Sequence, residues 1–265
     1  MIPMRGLTVA VGDWYAATLA ITLHRNMRHL SECVVVTSPD DHATKAVAAS
    51  VPNVRIVESD AYRQHGALFN KGLMMEAGFD ALERDGWILI LDADILLPDM
   101  LSLSRVLADA LHGCRRRILN EPSKWTPDLD WTTCPHSIDG GPIGFFQLFH
   151  ASSPWLRDKR PWYDVSFAHA GGCDAYFMSL FPRGRLVMLR TMEVLHLGPK
   201  DAHWFGTDPA ARDMMTAFVV RNGWTRSRPA RDRTITERVG DIPHRVNVPG
   251  YAPSGFELPF VKRAN

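Results

Sequence analysis

The sequence lacks any pair of cysteines at C-x-x-C spacing: Cys33, Cys114, Cys134 and Cys173 stand far apart. No Cys/His cluster has zinc spacing, so neither a zinc finger nor a dithiol redox motif is expected, and reduced thiols in the cytoplasm are the simplest reading. No uncharged apolar run reaches the roughly 18 residues of a membrane span. No secretory leader is expected either: Arg5 precedes a short apolar run that Asp13 interrupts, and no small-residue cleavage site follows. Excess charge is also missing. Thirty Lys+Arg meet 29 Asp+Glu, a net +1, and nothing global marks a nucleic-acid or membrane binder. Repeats and low-complexity tracts are absent. With 46% hydrophobic and 22% charged residues, a chain of 265 residues is neither disordered, collagenous nor a coiled coil. It is long enough to bury a core without disulfides or a structural metal.

Charge is nevertheless unevenly placed. Residues 221–265 hold nine Lys/Arg and four Asp/Glu, a basic tail rich in Pro and Arg after a single domain at 1–220. A solvated surface and an electrostatic contact to nucleic acid or an anionic membrane both account for such a tail.

The first hundred residues alternate between two patterns. Short apolar or β-branched runs at 7–11, 33–37 (C-V-V-V-T), 54–57 and 87–91 (W-I-L-I-L) read as strands. Stretches at 15–28, 41–50 and 66–84 read as helices. Further on, 100–111 and 174–180 read as helices, 145–149 as a strand, 186–195 as one or two strands, 122–142 as a loop and 209–221 as a helix-like piece. Alternation with strands that are apolar throughout predicts an α/β fold built on a mostly parallel, doubly wound, Rossmann-like sheet. Ligands of such sheets bind at the carboxyl ends of the strands.

At one of those ends stands Asp92-Ala93-Asp94. Two carboxylates there are costly to bury unpaired. As hard oxygen ligands they suit Mg²⁺ or Mn²⁺ bridging a diphosphate, although solvated acids in a turn would show the same three letters. Asp174, after Gly171-Gly172-Cys173, sits where a helix begins. It is either a plain helix cap or a carboxylate presented to a ligand by a turn of small residues. Of the eleven histidines, His196 stands out, closing a strand-like run before Gly198-Pro199; a core histidine bonded to backbone is the alternative to a ligand.

These residues fall in a pattern. Asp92-Ala93-Asp94 after an apolar strand resembles the D-x-D motif of glycosyltransferases with the GT-A fold. Phe69-Asn70-Lys71-Gly72, then Gly78-Phe79-Asp80-Ala81-Leu82, then the strand and D-A-D, resembles the β-1,4-galactosyltransferases over about thirty residues. Gly140-Gly141-Pro142-Ile143-Gly144 looks like that family's glycine-rich segment beside the donor sugar and acceptor, and Gly171-Gly172-Cys173-Asp174 resembles its W-G-G-E-D segment. Two departures are plain. Cys173 stands where the family has an acceptor-binding glutamate, and Glu193 where it has a methionine ligand.

The resemblance implies a hexosyltransferase with a nucleotide-sugar-binding half at 1–100 and an acceptor half at 101–220. Its co-substrate would be a nucleotide-sugar, first of all a UDP-sugar, and its cofactor Mn²⁺ or Mg²⁺ held by Asp92, Asp94 and His196. Asp174 would be the catalytic base of an inverting transfer. Asp13, Tyr15 and Asp60 would line the nucleotide pocket; Asn70, Lys71, Asp92, Gly141 and Lys200 would border the donor. The acceptor would be a saccharide, with Trp125, Trp131, Trp155, Trp162 and Tyr163 along its groove, or another hydroxyl such as a hydroxylated base in nucleic acid. Two rivals stand beside this reading: a nucleotidyltransferase on a similar sheet, and a non-catalytic carbohydrate-binding protein. Against the first, residues 7–15 carry no glycine- and Arg/Lys-rich phosphate loop.

Overall fold

The computed structural model of the chain describes residues 3–137, 141–167, 169–170 and 172–199, together with four short strands between Trp224 and Lys262. The elements are β1 (Met4–Val9), α1 (Asp13–Asn26), β2 (Glu32–Thr37), α2 (His42–Ala49), β3 (Val54–Glu58), α3 (Lys71–Ala81), β4 (Trp87–Leu91), β5 (Ile95–Leu96), β6 (Leu111–Leu119), β7 (His136–Ser137), β8 (Phe146–His150), α4 (Cys173–Ser179) and β9 (Leu186–Leu197). They form an α/β fold around one nine-stranded sheet in the order β3-β2-β1-β4-β8-β6-β9-β5, with β7 on the side of β6. The first four strands in that order are mutually parallel, as are β6 and β9. β8 runs antiparallel to both β4 and β6, and β5 antiparallel to β9.

Strand chemistry explains the layers. Val34 and Val36 face one side of β2 and Cys33 and Val35 the other, and β4 divides Ile88 and Ile90 from Leu89 and Leu91 in the same way. A strand apolar on both faces must be covered on both. α3 and α4 cover one face, where Phe79, Phe149, Trp162 and Phe177 interlock edge to face. α1 and α2 cover the other, with Leu19, Leu23 and Ala48. Gly78 lets α3 lie close on β1, since a Cβ there would come within 2.2 Å of Leu7.

Several sequence expectations need correcting. The long helix at 66–84 is shorter, beginning at Lys71 behind a 3-10 turn at Ala61–Gly66. The helix expected at 100–111 is a run of turns leading into β6, which the sequence hides. Its centre reads R-R-R, yet Arg116 is only 4% exposed with its guanidinium 4.4 Å over the Phe145 ring, and Arg117 bonds Glu193 at 2.6 Å. Aromatic and acidic partners let this strand be buried despite its charge. Trp162 and Tyr163, expected along an acceptor groove, are core residues at 1% and 0% exposure. The helix expected at 209–221 lies outside the described residues. All four cysteines are buried and free. Among the described residues no helix is long and apolar enough to cross a membrane.

One side chain fixes the carboxyl end of β1. Asp41, the N-cap of α2, accepts from the Gly12 N–H (2.7 Å), the Thr44 N–H (2.9 Å) and hydroxyl (2.7 Å), and the Thr37 hydroxyl (3.2 Å). Burial alone would raise its pKa, but these donors outweigh burial and hold it below the ordinary carboxylate value of 3.8. Its contribution to stability is therefore present above about pH 4 and is lost as pH falls through the lowered pKa. Asp41→Asn is expected to cost about 1–3 kcal/mol at neutral pH. The deficit against wild type should shrink below about pH 4, where wild type loses the same interaction. Urea unfolding at pH 7 and pH 3 reads both.

Candidate active site

The D-A-D turn leaves β4 at the carboxyl end of the parallel strands and is fastened from two sides. Asp92 N–H donates to Phe145 C=O at 3.2 Å and Ile95 N–H to Asp92 C=O at 3.0 Å. From α1, the Thr22 hydroxyl bonds Ala93 C=O at 2.7 Å. The Asn26 amide donates to Ile95 C=O at 2.8 Å and accepts from Leu97 N–H at 2.9 Å. Thr22 and Asn26 are buried polar residues whose bonds all go to this segment, a role that helical spacing alone does not reveal.

The two carboxylates then take different partners. Asp92 Oδ1 lies 2.5 Å from Nζ of Lys71, the first residue of α3. Burial alone would lower the Lys71 pKa, but the Asp92 charge, with Asp174 beyond it, raises it instead, so the amine is a fixed cation. Asp94 is 5% exposed, and its Oδ2 lies 3.5 Å from His196 Nε2. The strand pairing Ile95↔His196 and the bond from Leu197 N–H to Asp94 C=O (2.8 Å) bring these two residues together across about a hundred residues of chain. His196 Nδ1 lies 2.9 Å from Gly198 C=O. With the proton on Nδ1 donated there, the Nε2 lone pair faces Asp94. Asp94 Oδ1 is buried without a hydrogen-bond partner among the described residues.

Asp174 occupies the first turn of α4, and its Oδ2 accepts the Gly144 N–H at 2.8 Å. Gly144 lies close against it: a Cβ there would come within 3.0 Å of the Asp174 side chain, so that any larger residue would have to shift the carboxylate. Cys173 beside it is fully buried. Burial first, then the Asp174 charge, push its thiol well above the usual range, so it supplies neither a thiolate nor the acid that the family places there.

Tyr15 in the first turn of α1 lies within the field of the acidic pair. Burial, then Asp94 and Asp92, hold its phenol well above the ordinary range. Trp14 stands edge-on to it at 5.1 Å and lies against Gly198, where a Cβ would come within 2.7 Å. The carboxyl ends of β1, β4 and β9 thus meet at one place. Of the other expected residues, Asn70 is buried and used locally, capping α3 through Leu73 N–H and donating to Val165 C=O at 2.8 Å. Gly141 is buried in the turn before β8, its C=O accepting Ile143 N–H. Asp13 and Asp60 are exposed, and no described hydrogen bond or ion pair joins Asp60 to the acidic pair. Lys200 lies outside the described residues.

The metal set expected from sequence is divided: among the described residues no three His, Cys, Asp or Glu side chains form a ready-made ligand group. Asp92 is engaged by Lys71, and Glu193, in the methionine position, by Arg117. What remains, Asp94 with His196, suits one divalent cation. The 3.5 Å between their facing atoms is less than two ligand bonds of about 2.1 Å, and Mg²⁺ commonly takes only one or two protein ligands beside substrate phosphates.

No protein-family profile matches the chain, and no curated protein does. Among solved structures it is similar to the galactosyltransferase LgtC in complex with donor and acceptor sugar analogs, at 19% identity and a TM-score of 0.36 over 59% of this chain and 60% of that one. It is also similar to a 4-diphosphocytidyl-2C-methyl-D-erythritol synthase from Anaerococcus prevotii, at 16% identity and a TM-score of 0.44 over 83% of this chain and 99% of that one. A second synthase of that name gives 16% and 0.41 over 83% and 97%. Each is a likeness in the course of the chain only.

Proposed function

We propose that the chain is a glycosyltransferase of GT-A type, using a divalent cation to move a sugar from a nucleoside diphosphate, UDP first among candidates, to an acceptor hydroxyl. The observation that carries this reading is the convergence of Lys71–Asp92, Asp94–His196 and Asp174 at the carboxyl ends of the parallel strands. Carboxylates with one fixed cation and an imidazole suit a doubly charged ion and a diphosphate, not a neutral ligand.

In this reading Asp94 and His196 hold Mn²⁺ or Mg²⁺, with Asp92 turned to ribose or the ion. The ion, when bound, neutralises the charge that develops on the leaving diphosphate. Lys71 adds a second positive charge there and keeps Asp92 paired. Tyr15, Asp13 and Asp60, at the ends of β1 and β3, border the nucleoside, and Gly141 and its turn let the sugar approach backbone. Asp174 takes the proton of the acceptor hydroxyl. The acceptor oxygen bonds the anomeric carbon as its bond to the diphosphate breaks, the electron pair leaves with the diphosphate, and configuration inverts. A saccharide is the favoured acceptor.

The rival nucleotidyl transfer is disfavoured by one local feature. Only Ala10, Val11 and Gly12 separate β1 from α1, too short a connection for a loop wrapped around a triphosphate. The two reactions also differ in what leaves. Incubation with UDP-sugars, Mn²⁺ and a saccharide panel is expected to release UDP and glycosylated product. Release of pyrophosphate from a nucleoside triphosphate and a sugar phosphate, with no UDP formed, would replace this reading with the rival.

A further inference from the structure

We propose that Tyr163 and Gln147 are positioning residues for the transfer: they lock the 141–144 turn to α4 so that Asp174 is held toward the acceptor. The inference rests on the reading of Asp174 as the base.

Gln147 is a lone amide inside the apolar strand F-Q-L-F-H, with no exposure. A core amide is tolerated when both of its ends are bonded. Its Oε1 accepts the Tyr163 hydroxyl and its Nε2 donates to Pro142 C=O at 2.7 Å. The turn carrying Pro142 is pressed onto β6, where a Cβ on Gly113 would come within 2.4 Å of the Pro142 Cα. Two residues on, the Gly144 N–H orients Asp174.

Tyr163 reaches the helix of the same carboxylate from the other side. Its ring stacks on Phe177 at 5.2 Å and 28°, and Phe177 lies one helical turn beyond Asp174 on α4. Tyr163 therefore touches the helix that carries the base through its ring and, through its hydroxyl, the Gln147 amide that holds the turn orienting the base. Tyr163 is itself held from α3. Glu76 Oε1 accepts the N–H groups of Trp162 (2.8 Å) and Tyr163 (2.9 Å), while Oε2 pairs with Arg84 at 2.8 Å, whose guanidinium lies 4.7 Å over Trp162. α3 begins at Lys71. A continuous path of contacts thus joins the helix of the site's cation to the helix of its base.

The test uses Tyr163→Phe, which removes one oxygen, and Gln147→Met, which keeps volume and removes both bonds. Each is made in wild type and in Asp174→Asn, with UDP affinity and thermal midpoint measured alongside. The expected result is a fall in kcat of up to about 10²-fold with KM for the UDP-sugar and UDP affinity unchanged. In the Asp174→Asn background neither change should slow the residual transfer further, because both act through Asp174. A role confined to packing would lower UDP affinity and slow the residual rate in both backgrounds; that result, or wild-type kcat in both variants, overturns the proposal. Full transfer by Asp174→Asn alone would instead overturn the base assignment.

Discussion

Asp174→Asn is expected to lower kcat for sugar transfer by about 10²–10⁴-fold, the usual worth of a positioned general base, with little change in UDP affinity. The substitution isolates the proton-accepting step. Asn is isosteric, and its amide oxygen can still accept the Gly144 N–H that Asp174 Oδ2 now receives at 2.8 Å. The turn and α4 therefore keep their arrangement. What is lost is a carboxylate able to take a proton from the acceptor hydroxyl. Because Lys71 is fixed as a cation by Asp92 and the Cys173 thiol is held protonated by burial, neither neighbour offers a substitute base. A slowly reacting variant with wild-type UDP affinity supports the assignment. Equal loss of affinity and rate would make Asp174 a structural residue, and an undiminished rate would move the base elsewhere.

The second large effect concerns Asp94. Its Oδ1 is buried without a hydrogen-bond partner among the described residues, and its Oδ2 stands 3.5 Å from His196. An under-satisfied buried carboxylate costs stability, and proteins keep such groups where function needs them. Asp94→Asn is thus expected to separate two quantities. Mn²⁺ should strengthen UDP binding to wild type by at least about 10-fold, with EDTA reversing it, and the variant should lose that response. Melting of the metal-free variant should come at the same temperature as wild type or higher, since a buried charge has been removed. Calorimetric titration with UDP and thermal melting, each with Mn²⁺ and with EDTA, read the two. Mn²⁺-independent UDP binding in wild type would remove the cation from the site.

Sequence patterning reaches unequally far into this molecule. The strands C-V-V-V-T and W-I-L-I-L are legible because uninterrupted apolar runs have few uses besides a doubly covered sheet. The D-A-D turn is legible for the complementary reason, two charges at the end of such a run. β6 is not, because its buried Arg116 is satisfied by Phe145, and that satisfaction exists only after folding. Trp162 and Tyr163 follow R-D-K-R-P, a string that reads as surface, and turn inward only because Glu76 on a distant helix binds their backbone. The pairing of Lys71 with Asp92 is likewise unreadable. Both residues are candidates on sequence grounds, but nothing local says that the ammonium takes one carboxylate away from the other. Local pattern records what each residue prefers; which preferences meet is decided by strand order.

The pairing of β5 with β9 has a consequence for how the protein acquires activity. Asp94 and His196 face each other only after two strands far apart in sequence have zipped antiparallel, Ile95 opposite His196. Contacts of such long sequence separation form late, since the loop-closure entropy must be met before they contribute. The candidate cation site is thus assembled near the end of folding and not on any early hairpin. On a nascent or refolding chain, recovery of Mn²⁺ affinity would trail recovery of helix signal, and the ion would meet a binding-competent site only on molecules whose sheet is already closed.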